Sequence, residues 1–220
     1  MKTRAAAASL AAAIAALLAA GCERIAGDYM PLAVGNRWDY SVRWQRGEAP
    51  AEAAADFMEI IDEVAPGKFR AREAAATSLW SKELGFVIRA DGTTREPILA
   101  LPPHTGYKWK LNTPAGSVFS EIAERCEVSV PAGRFADCLR VVQRDVTGRR
   151  VLNYWFAPGV GIVKAVLLYS GTPVETRELL RWRLAPGAGA GTGSEPKGPA
   201  APEPEPPGPG GAELPPAAVP

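Results

Sequence analysis

Apolar and polar side chains alternate strictly along residues 36 to 46. Trp38, Tyr40, Val42 and Trp44 fall on one side of this segment, and charged or hydrogen-bonding residues fall on the other. Alternation with a period of two is typical of a β-strand with one buried face. Such a strand needs partners, so the rest of the chain is expected to supply further strands.

The same period recurs near the C-terminal end. Residues 174, 176, 178, 180, 182 and 184 are predicted to face one way, and residues 175, 177, 179, 181 and 183 the other. Further strands, each bounded by turns rich in Gly or Pro, are predicted at 68–74, 84–89, 118–130, 135–146, 151–157 and 162–169. Short strands without helical periods between them favour an antiparallel meander, because parallel strands need long crossovers.

Residues 52 to 64 give a conflicting pattern. Phe57, Ile60, Ile61 and Val64 have helical spacing in a setting of Ala and Glu, which propensity alone would make a helix. We interpret the segment as a strand, because a meander requires an antiparallel neighbour at this place. The sequence therefore predicts an all-β or mainly β protein. Its antiparallel meander is expected to form an open, curved, half-barrel-like sheet, with a small closed barrel as the alternative.

The chain of 220 residues divides into three parts. Residues 1–21 carry two basic residues, an apolar run and small residues at the end, which is the pattern of a secretory signal peptide. The apolar run is too short to cross a hydrocarbon core of about 30 Å, so a permanent transmembrane anchor is the weaker interpretation. Residues 22–185 are enough for a single antiparallel β domain. Pro and Gly make up more than half of residues 186–220, which predicts a disordered tail.

The segment Leu18-Ala19-Ala20-Gly21-Cys22 resembles the lipobox of bacterial lipoproteins. Its one departure is Ala19, at the position where that motif usually has Leu. The resemblance implies that Cys22 is acylated, through a diacylglyceryl thioether and a further fatty acid such as palmitate, and becomes the first residue. Glu23 after the cysteine, by the sorting rule of such lipoproteins, implies the outer membrane, facing the periplasm. An ordinary secreted protein with a chance cysteine is the alternative.

Four further phrases resemble a group of bacterial outer-membrane lipoproteins of uncharacterised function. The phrases are FPLxxGxxWxY-like at Tyr29–Trp38, an echo of it at Leu101–Trp109, VPAGxFxxC at Val130–Cys138, and APGVGxVK at Ala157–Lys164. The resemblance implies a single-domain, mostly β lipoprotein of the cell envelope, with the open half-barrel of periplasmic lipoprotein carriers. It implies no known reaction.

Charge and residue types exclude several functions. The net charge is only +1, which gives no electrostatic drive toward nucleic acid. His104 is the single histidine and lies in a Pro-rich loop, so a multi-histidine metal site is excluded. Gly159-Val160-Gly161 precedes a predicted strand instead of a helix, which favours a turn over a phosphate-binding loop. No nucleophile, base and orienting group can be assembled, so we expect no enzyme, no cofactor and no metal.

Cys126 and Cys138 are expected in an oxidising compartment, where disulfides persist. With residues 131 to 133 as a hairpin loop, 130 is predicted to face 134, 128 to face 136, and 126 to face 138. Directly opposed cysteines meet the distances that a disulfide requires, so a Cys126–Cys138 bond is predicted. Two free thiols and a redox-active dithiol are the alternatives.

The aromatic side of the first strand supplies the candidate binding residues. If Trp38, Tyr40 and Trp44 line the concave face of a curved sheet, they can hold an apolar ligand or lipid. Simple core packing is the competing interpretation of the tryptophans. We therefore expect a membrane-anchored periplasmic lipoprotein that binds an apolar ligand or lipid. A structural or adaptor lipoprotein that docks another cell-envelope component is the alternative, with its protein partner unknown.

Overall fold

The computed structural model describes residues 27–45, 47, 52–92, 94–113 and 116–186. All regular secondary structure in these residues is β, in twelve antiparallel strands. They are β1 (Arg37–Trp44), β2 (Glu52–Ala65), β3 (Lys68–Glu73), β4 (Thr77–Glu83), β5 (Phe86–Asp91), β6 (Thr94–Ala100), β7 (Lys108–Thr113), β8 (Gly116–Val130), β9 (Gly133–Asp145), β10 (Arg150–Ala157), β11 (Gly161–Tyr169) and β12 (Thr172–Arg183).

The strands form one sheet in which every sequential neighbour pairs except β6 and β7, while β1 pairs with β12. The sheet therefore begins at β6 and ends at β7. It curls until these two edges approach, and the indole N–H of Trp109 on β7 donates to the carbonyl oxygen of Pro97 on β6 at 2.9 Å. The result is a nearly closed barrel with an unsealed seam, which confirms the predicted antiparallel meander.

An antiparallel meander places its connections alternately at two ends. We call proximal the end at which the chain enters β1 and leaves β12, and distal the opposite end. Among the described residues, the connections 66–67, 84–85, 101–107, 131–132 and 158–160 are proximal, and 74–76, 92, 146–149 and 170–171 are distal. The buried hydrophobic residues form one core cluster, to which nearly every strand contributes.

The strand at 52–64 is confirmed as β2, against its helix propensity. Two of the residues with helical spacing, Ile61 and Val64, are exposed. Met58 and Ile60, which are two positions apart, are both buried, as expected on one face of a strand. β2 pairs with β1 on one side and β3 on the other. Both sets of cross-strand hydrogen bonds, and the burial of Met58 and Ile60, outweigh a propensity of a few tenths of a kcal/mol per residue.

Strands β4, β6 and β7 were not predicted, and each departs from the usual strand composition. β4 buries Ser78 and Ser81, whose hydroxyls donate to glutamates at 2.6 and 2.8 Å. β6 contains Pro97 and β7 alternates Lys108 and Lys110. β6 and β7 are the two edges of the sheet, where Pro and Lys are tolerated and protect against further pairing.

The predicted alternation along β12 is wrong in its second half. The register between β1 and β12 shifts between Asp39 and Tyr40, where Asp39 pairs with Arg181 and Tyr40 with Leu179. Leu180 is the additional residue of this β-bulge and is exposed. Leu179 therefore faces the core with Arg177 and Glu175, opposite to Leu180, and the pattern reverses beyond the bulge.

Candidate functional site

A cavity of about 210 Å³ lies inside the distal half of the barrel. Its walls come from eight strands, so residues far apart in sequence meet there. The apolar part of the wall consists of Met58, Trp80, Leu152, Ile162, Ala165 and Leu167. The polar part consists of Tyr40, Tyr154, Glu73, Arg89, Arg150, Glu175 and Arg177.

The strand register explains why charged residues gather at the distal end. Glu73 is the last residue of β3, and Arg150 is the first residue of β10. Glu175 and Arg177 alternate along β12 on the side of buried Leu179. The cavity mouth therefore carries charge, while the apolar side chains lie deeper between the strands.

Most charges at this mouth are paired. Arg89 forms an ion pair with Glu73 at 3.2 Å, and Arg177 forms one with Asp56 at 2.7 Å. Arg150 is exposed, and its guanidinium forms no hydrogen bond or ion pair with another described residue. Burial raises the pKa of Glu96, and the charges of Arg89 and Arg150 act against that rise. Arg150 is thus the cation at the mouth that is available to a ligand.

Two tyrosines, buried Tyr40 and partly buried Tyr154, extend from the wall into this environment. The Tyr40 hydroxyl donates to the carbonyl oxygen of Ile162 at 3.0 Å. The Tyr154 hydroxyl has no hydrogen-bond partner among the described residues, and the Tyr154 ring lies 5.9 Å from that of Phe156. Burial raises the pKa of both tyrosines well above the ordinary value. Both side chains therefore remain neutral at physiological pH, and Tyr154 can donate a hydrogen bond to a ligand.

The three aromatic residues assigned to a ligand site from the sequence take different positions. Tyr40 lines the cavity. Trp38 is fully buried in the core, and its indole N–H donates to the carbonyl oxygen of Val160 at 2.6 Å. Trp44 packs, partly buried, against the core and does not line the cavity. The charged wall residues from β3, β5, β10 and β12 were missed, because alternation alone cannot show which strands meet across a barrel.

The two cysteines of the β8–β9 hairpin are direct cross-strand partners, but by a different register from the predicted one. Val130 pairs with Gly133 and Val128 with Phe135, one residue off the predicted pairs. A bulge between Cys126 and Val128 then brings Cys126 opposite Cys138. Both carry free thiols in this structure, and the Cys138 thiol donates to the carbonyl oxygen of Phe135 at 3.5 Å. The disulfide itself stays a prediction.

A second, shallower groove of about 350 Å³ lies on β7, β8 and β9. The Lys110 ammonium lies 5.4 Å from the centre of the exposed Phe119 ring, and Arg144 pairs with Phe119 on the other side. The groove thus combines an exposed aromatic ring with cations on the strand at the barrel seam.

The structure describes only part of the remaining predicted sites. Cys22, the signal peptide and residues 187–220 lie outside the described residues. His104 is exposed in the 101–107 loop, and its ring lies 5.0 Å from that of Tyr107. The described residues contain no group of three or more His, Cys, Asp or Glu side chains placed to hold a metal ion. They also contain no helix long and apolar enough to cross a membrane.

Comparison with known proteins adds two structural likenesses. No protein-family model and no curated protein matches the chain. A Bacteroides fragilis structure, provisionally described as an exported protein with a YmcC-like fold, is 12% identical with a TM-score of 0.44 and covers 72% of this chain and 100% of its own. A Parabacteroides distasonis structure, provisionally described as a lipoprotein, is 10% identical with a TM-score of 0.43. That match covers 73% of this chain and 100% of the Parabacteroides chain. Similarity at this level does not establish a common function.

Proposed function

We propose that this protein is a lipoprotein of the bacterial cell envelope, anchored through Cys22 to the outer membrane and facing the periplasm, that binds an amphipathic ligand in the distal cavity. Its role is binding, not catalysis. The observation that carries the proposal is the cavity itself, with apolar walls inside and charged groups at its mouth. Of the apolar ligand or lipid expected from the sequence, this chemistry suits a lipid with a charged group.

The wall chemistry suits a molecule with an apolar body and an anionic group. Met58, Leu152 and Leu167 offer a surface that excludes water. The Arg150 guanidinium and the Tyr154 hydroxyl, which form no hydrogen bond or ion pair with other described residues, supply donors for a carboxylate, sulfonate or phosphate. Arg89 and Arg177 are already neutralised by carboxylates, so Arg150 is the residue that would select the charge of the ligand.

A fluorescent anion tests the proposal. The full-length Cys22→Ser protein is titrated with anilinonaphthalene sulfonate, which has an apolar ring system and one sulfonate. We expect Arg150→Glu to weaken binding by about tenfold or more, because it removes a charge-assisted hydrogen bond of about 1.5 to 3 kcal/mol. Ala165→Trp should abolish binding by filling the cavity.

Arg149→Glu is the matched control, since Arg149 is exposed, carries the same charge and does not line the cavity. Its affinity for the probe should stay within about twofold of the parent, an effect below about 0.4 kcal/mol. Equal affinity in the Arg149→Glu, Arg150→Glu and Ala165→Trp proteins, all with unchanged melting temperatures, would refute binding in this cavity.

The groove on β7, β8 and β9 supports a second candidate, an adaptor that docks another envelope component. Exposed Phe119 beside Lys110 and Arg144 is a surface that a protein partner could cover. Native mass spectrometry of the purified full-length Cys22→Ser protein distinguishes the two functions. A co-purifying lipid supports the carrier, whereas an empty protein with a partner recovered by crosslinking supports the adaptor.

A further inference from the structure

We propose that the proximal end of the barrel rests on the lipid bilayer that holds the acyl chains of Cys22, so that the cavity mouth points away from the membrane. This inference rests on the proposed lipid anchor. It adds an orientation and a second membrane contact made by the folded domain itself.

The first argument is the short reach of the chain. Gly27 is the first described residue, and Asp28 is held at the proximal end. The backbone N–H of Gly159 donates to the carbonyl oxygen of Asp28 at 2.8 Å, and Lys82 forms an ion pair with the Asp28 carboxylate. The five residue steps from Cys22 to Gly27 span at most about 18 Å. The proximal end is therefore kept close to the bilayer surface.

The second argument is the composition of the proximal connections. Besides 66–67, 84–85, 101–107, 131–132 and 158–160, the described proximal residues are 27–36 before β1 and 184–186 after β12. Asp28 is the single Asp, Glu, Lys or Arg in all of them, and it is paired with Lys82. Apart from Asp28, the charged side chains at this end lie on strand ends, such as Arg37, Lys68 and Arg183, so the connections can approach lipid without burying a charge.

The third argument is the exposure of individual side chains at this end. Leu84 is 85% exposed, Val34 48% and Tyr107 36%. Leu84 also has a φ of 53°, a left-handed conformation that favours Gly, Asn or Asp. Packing within the domain therefore does little to stabilise the Leu84 side chain, whereas entry into the acyl region of the bilayer removes its apolar surface from water and is favourable. Tyrosine is a typical residue of the membrane–water interface.

The described distal connections are also poor in charge, with Arg149 as their one charged residue, and the distal end differs from the proximal end in carrying the cavity mouth. Asp91, Asp145 and Arg150 are located at distal strand ends, and Arg149 lies in a distal connection. Arg150 lines the cavity, and burial of these charges against lipid would cost them their hydration. With the proximal end on the membrane, the mouth opens into the aqueous compartment and a ligand can exchange without crossing the barrel.

Photo-crosslinking of the full, acylated chain in vesicles of phosphatidylethanolamine and phosphatidylglycerol tests this orientation. The photoreactive p-benzoylphenylalanine replaces Tyr107 at the proximal end or Tyr169 at the distal end, which is 55% exposed. Both substitutions exchange one exposed aromatic residue for another. We expect lipid adducts at position 107 at least fivefold above those at position 169. Equal yields, or none at 107, overturn the proposal.

A second pair of variants tests the apolar contact. Leu84→Asn keeps a residue suited to the left-handed conformation, so the fold is retained while the apolar side chain is lost. We expect this variant to reduce the adduct yield at position 107 severalfold, and Val146→Asn at the distal end to leave it unchanged. Mass analysis of the N-terminal peptide separates the two proposals: acylated Cys22 without adducts at 107 overturns the orientation alone, and unmodified Cys22 overturns the anchor and the orientation with it.

Discussion

At the scale of single residues, the packing between Trp38 and Gly161 explains why a glycine is needed after the β10–β11 turn. Gly161 has a φ of 108°, and a Cβ atom at this position would lie 3.3 Å from Nε1 of Trp38 and 3.4 Å from the sulfur of Met30. The same indole nitrogen donates to Val160. The glycine therefore lets the turn approach a fully buried tryptophan.

We expect Gly161→Ala to lower the free energy of unfolding by about 2 to 3 kcal/mol, because it combines backbone strain with a close contact in the core. Gly171→Ala is the matched control, since Gly171 has a φ of 85° and open space around its Cα. That control should cost about 1 kcal/mol. Denaturant unfolding of both variants measures the difference, and equal losses would show that contact with Trp38 is unimportant.

Asp39 gives a pH dependence at the same scale. Burial alone would raise the pKa of this carboxyl group, but hydrogen bonds from Arg37 at 2.8 Å and Arg181 at 2.8 Å outweigh burial and lower the pKa below its ordinary value of 3.8. A carboxylate with a lowered pKa in the folded state stabilises the protein above the pKa of the unfolded chain. This contribution is lost as the pH falls through the folded-state pKa.

Asp39→Asn is therefore expected to be less stable than the parent at pH 7, with the gap closing as the pH falls below about 4. Unfolding by urea between pH 7 and pH 2 measures the gap. Asp62→Asn is the comparison, because Asp62 forms an exposed ion pair with Arg70 at 3.5 Å and such pairs contribute little. A gap for Asp39→Asn that is independent of pH would contradict this role of the two arginines.

At the scale of elements, bulges decide which residues meet. On the β8–β9 hairpin, Ala136 and Asp137 both lie opposite Glu127, and Asp137 has a φ of 54°. This extra residue restores the opposition of Cys126 and Cys138 after the tight turn shifts the register by one. On β12, Leu180 has the corresponding role and moves Glu175 and Arg177 to the cavity side.

We expect the Cys126–Cys138 disulfide to form when the protein is exported, and to stabilise it by about 2 to 3 kcal/mol, because the loop that it closes is short. Burial raises the pKa of Cys138 to about 12 and also raises that of Cys126. Few thiolates are then present at neutral pH, so the bond should form during folding and only slowly in the folded, reduced protein.

Peptide mapping without reduction checks this bond, with both cysteines expected in one linked fragment. A Cys126→Ser protein serves as the control, and its remaining thiol should react with an alkylating reagent only after unfolding. Complete alkylation of both cysteines before reduction would refute the disulfide.

At the scale of the whole molecule, the C-terminal boundary of the domain is set by two contacts. The backbone N–H of Ala185 donates to the side-chain oxygen of Asn36 at 2.7 Å, and Leu184 packs against the core. Truncation after Ala185 keeps both contacts and removes a segment almost without large apolar side chains, which has nothing to offset its ordering entropy. We expect the melting temperature to change by no more than about two degrees.

Truncation after Arg183 is the matched comparison, and it should lower the melting temperature by at least several degrees, because it removes the apolar contact of Leu184 and the bond to Asn36. Thermal unfolding followed by circular dichroism measures both truncations. A large loss on truncation after Ala185 would mean that the tail stabilises the domain.

The local patterns of the sequence were sufficient to predict an antiparallel β meander. Alternation along residues 36 to 46, and turns rich in Gly and Pro, are properties of neighbouring residues. The strand at 52–64 was predicted because a meander requires an antiparallel neighbour at that place. The opposition of Cys126 and Cys138 was also predicted, although through a register that the structure corrects.

The tertiary structure alone decided the position and chemistry of the cavity. Glu73, Arg89, Arg150 and Arg177 each have the pattern of a solvated charge on its own strand, and they meet only because the sheet curls and brings distant strands together. A bulge reverses the alternation by one residue without a distinctive local signal, as at Leu180. Pairing across a barrel depends on closure and register, which involve the whole chain, whereas alternation depends on adjacent residues only.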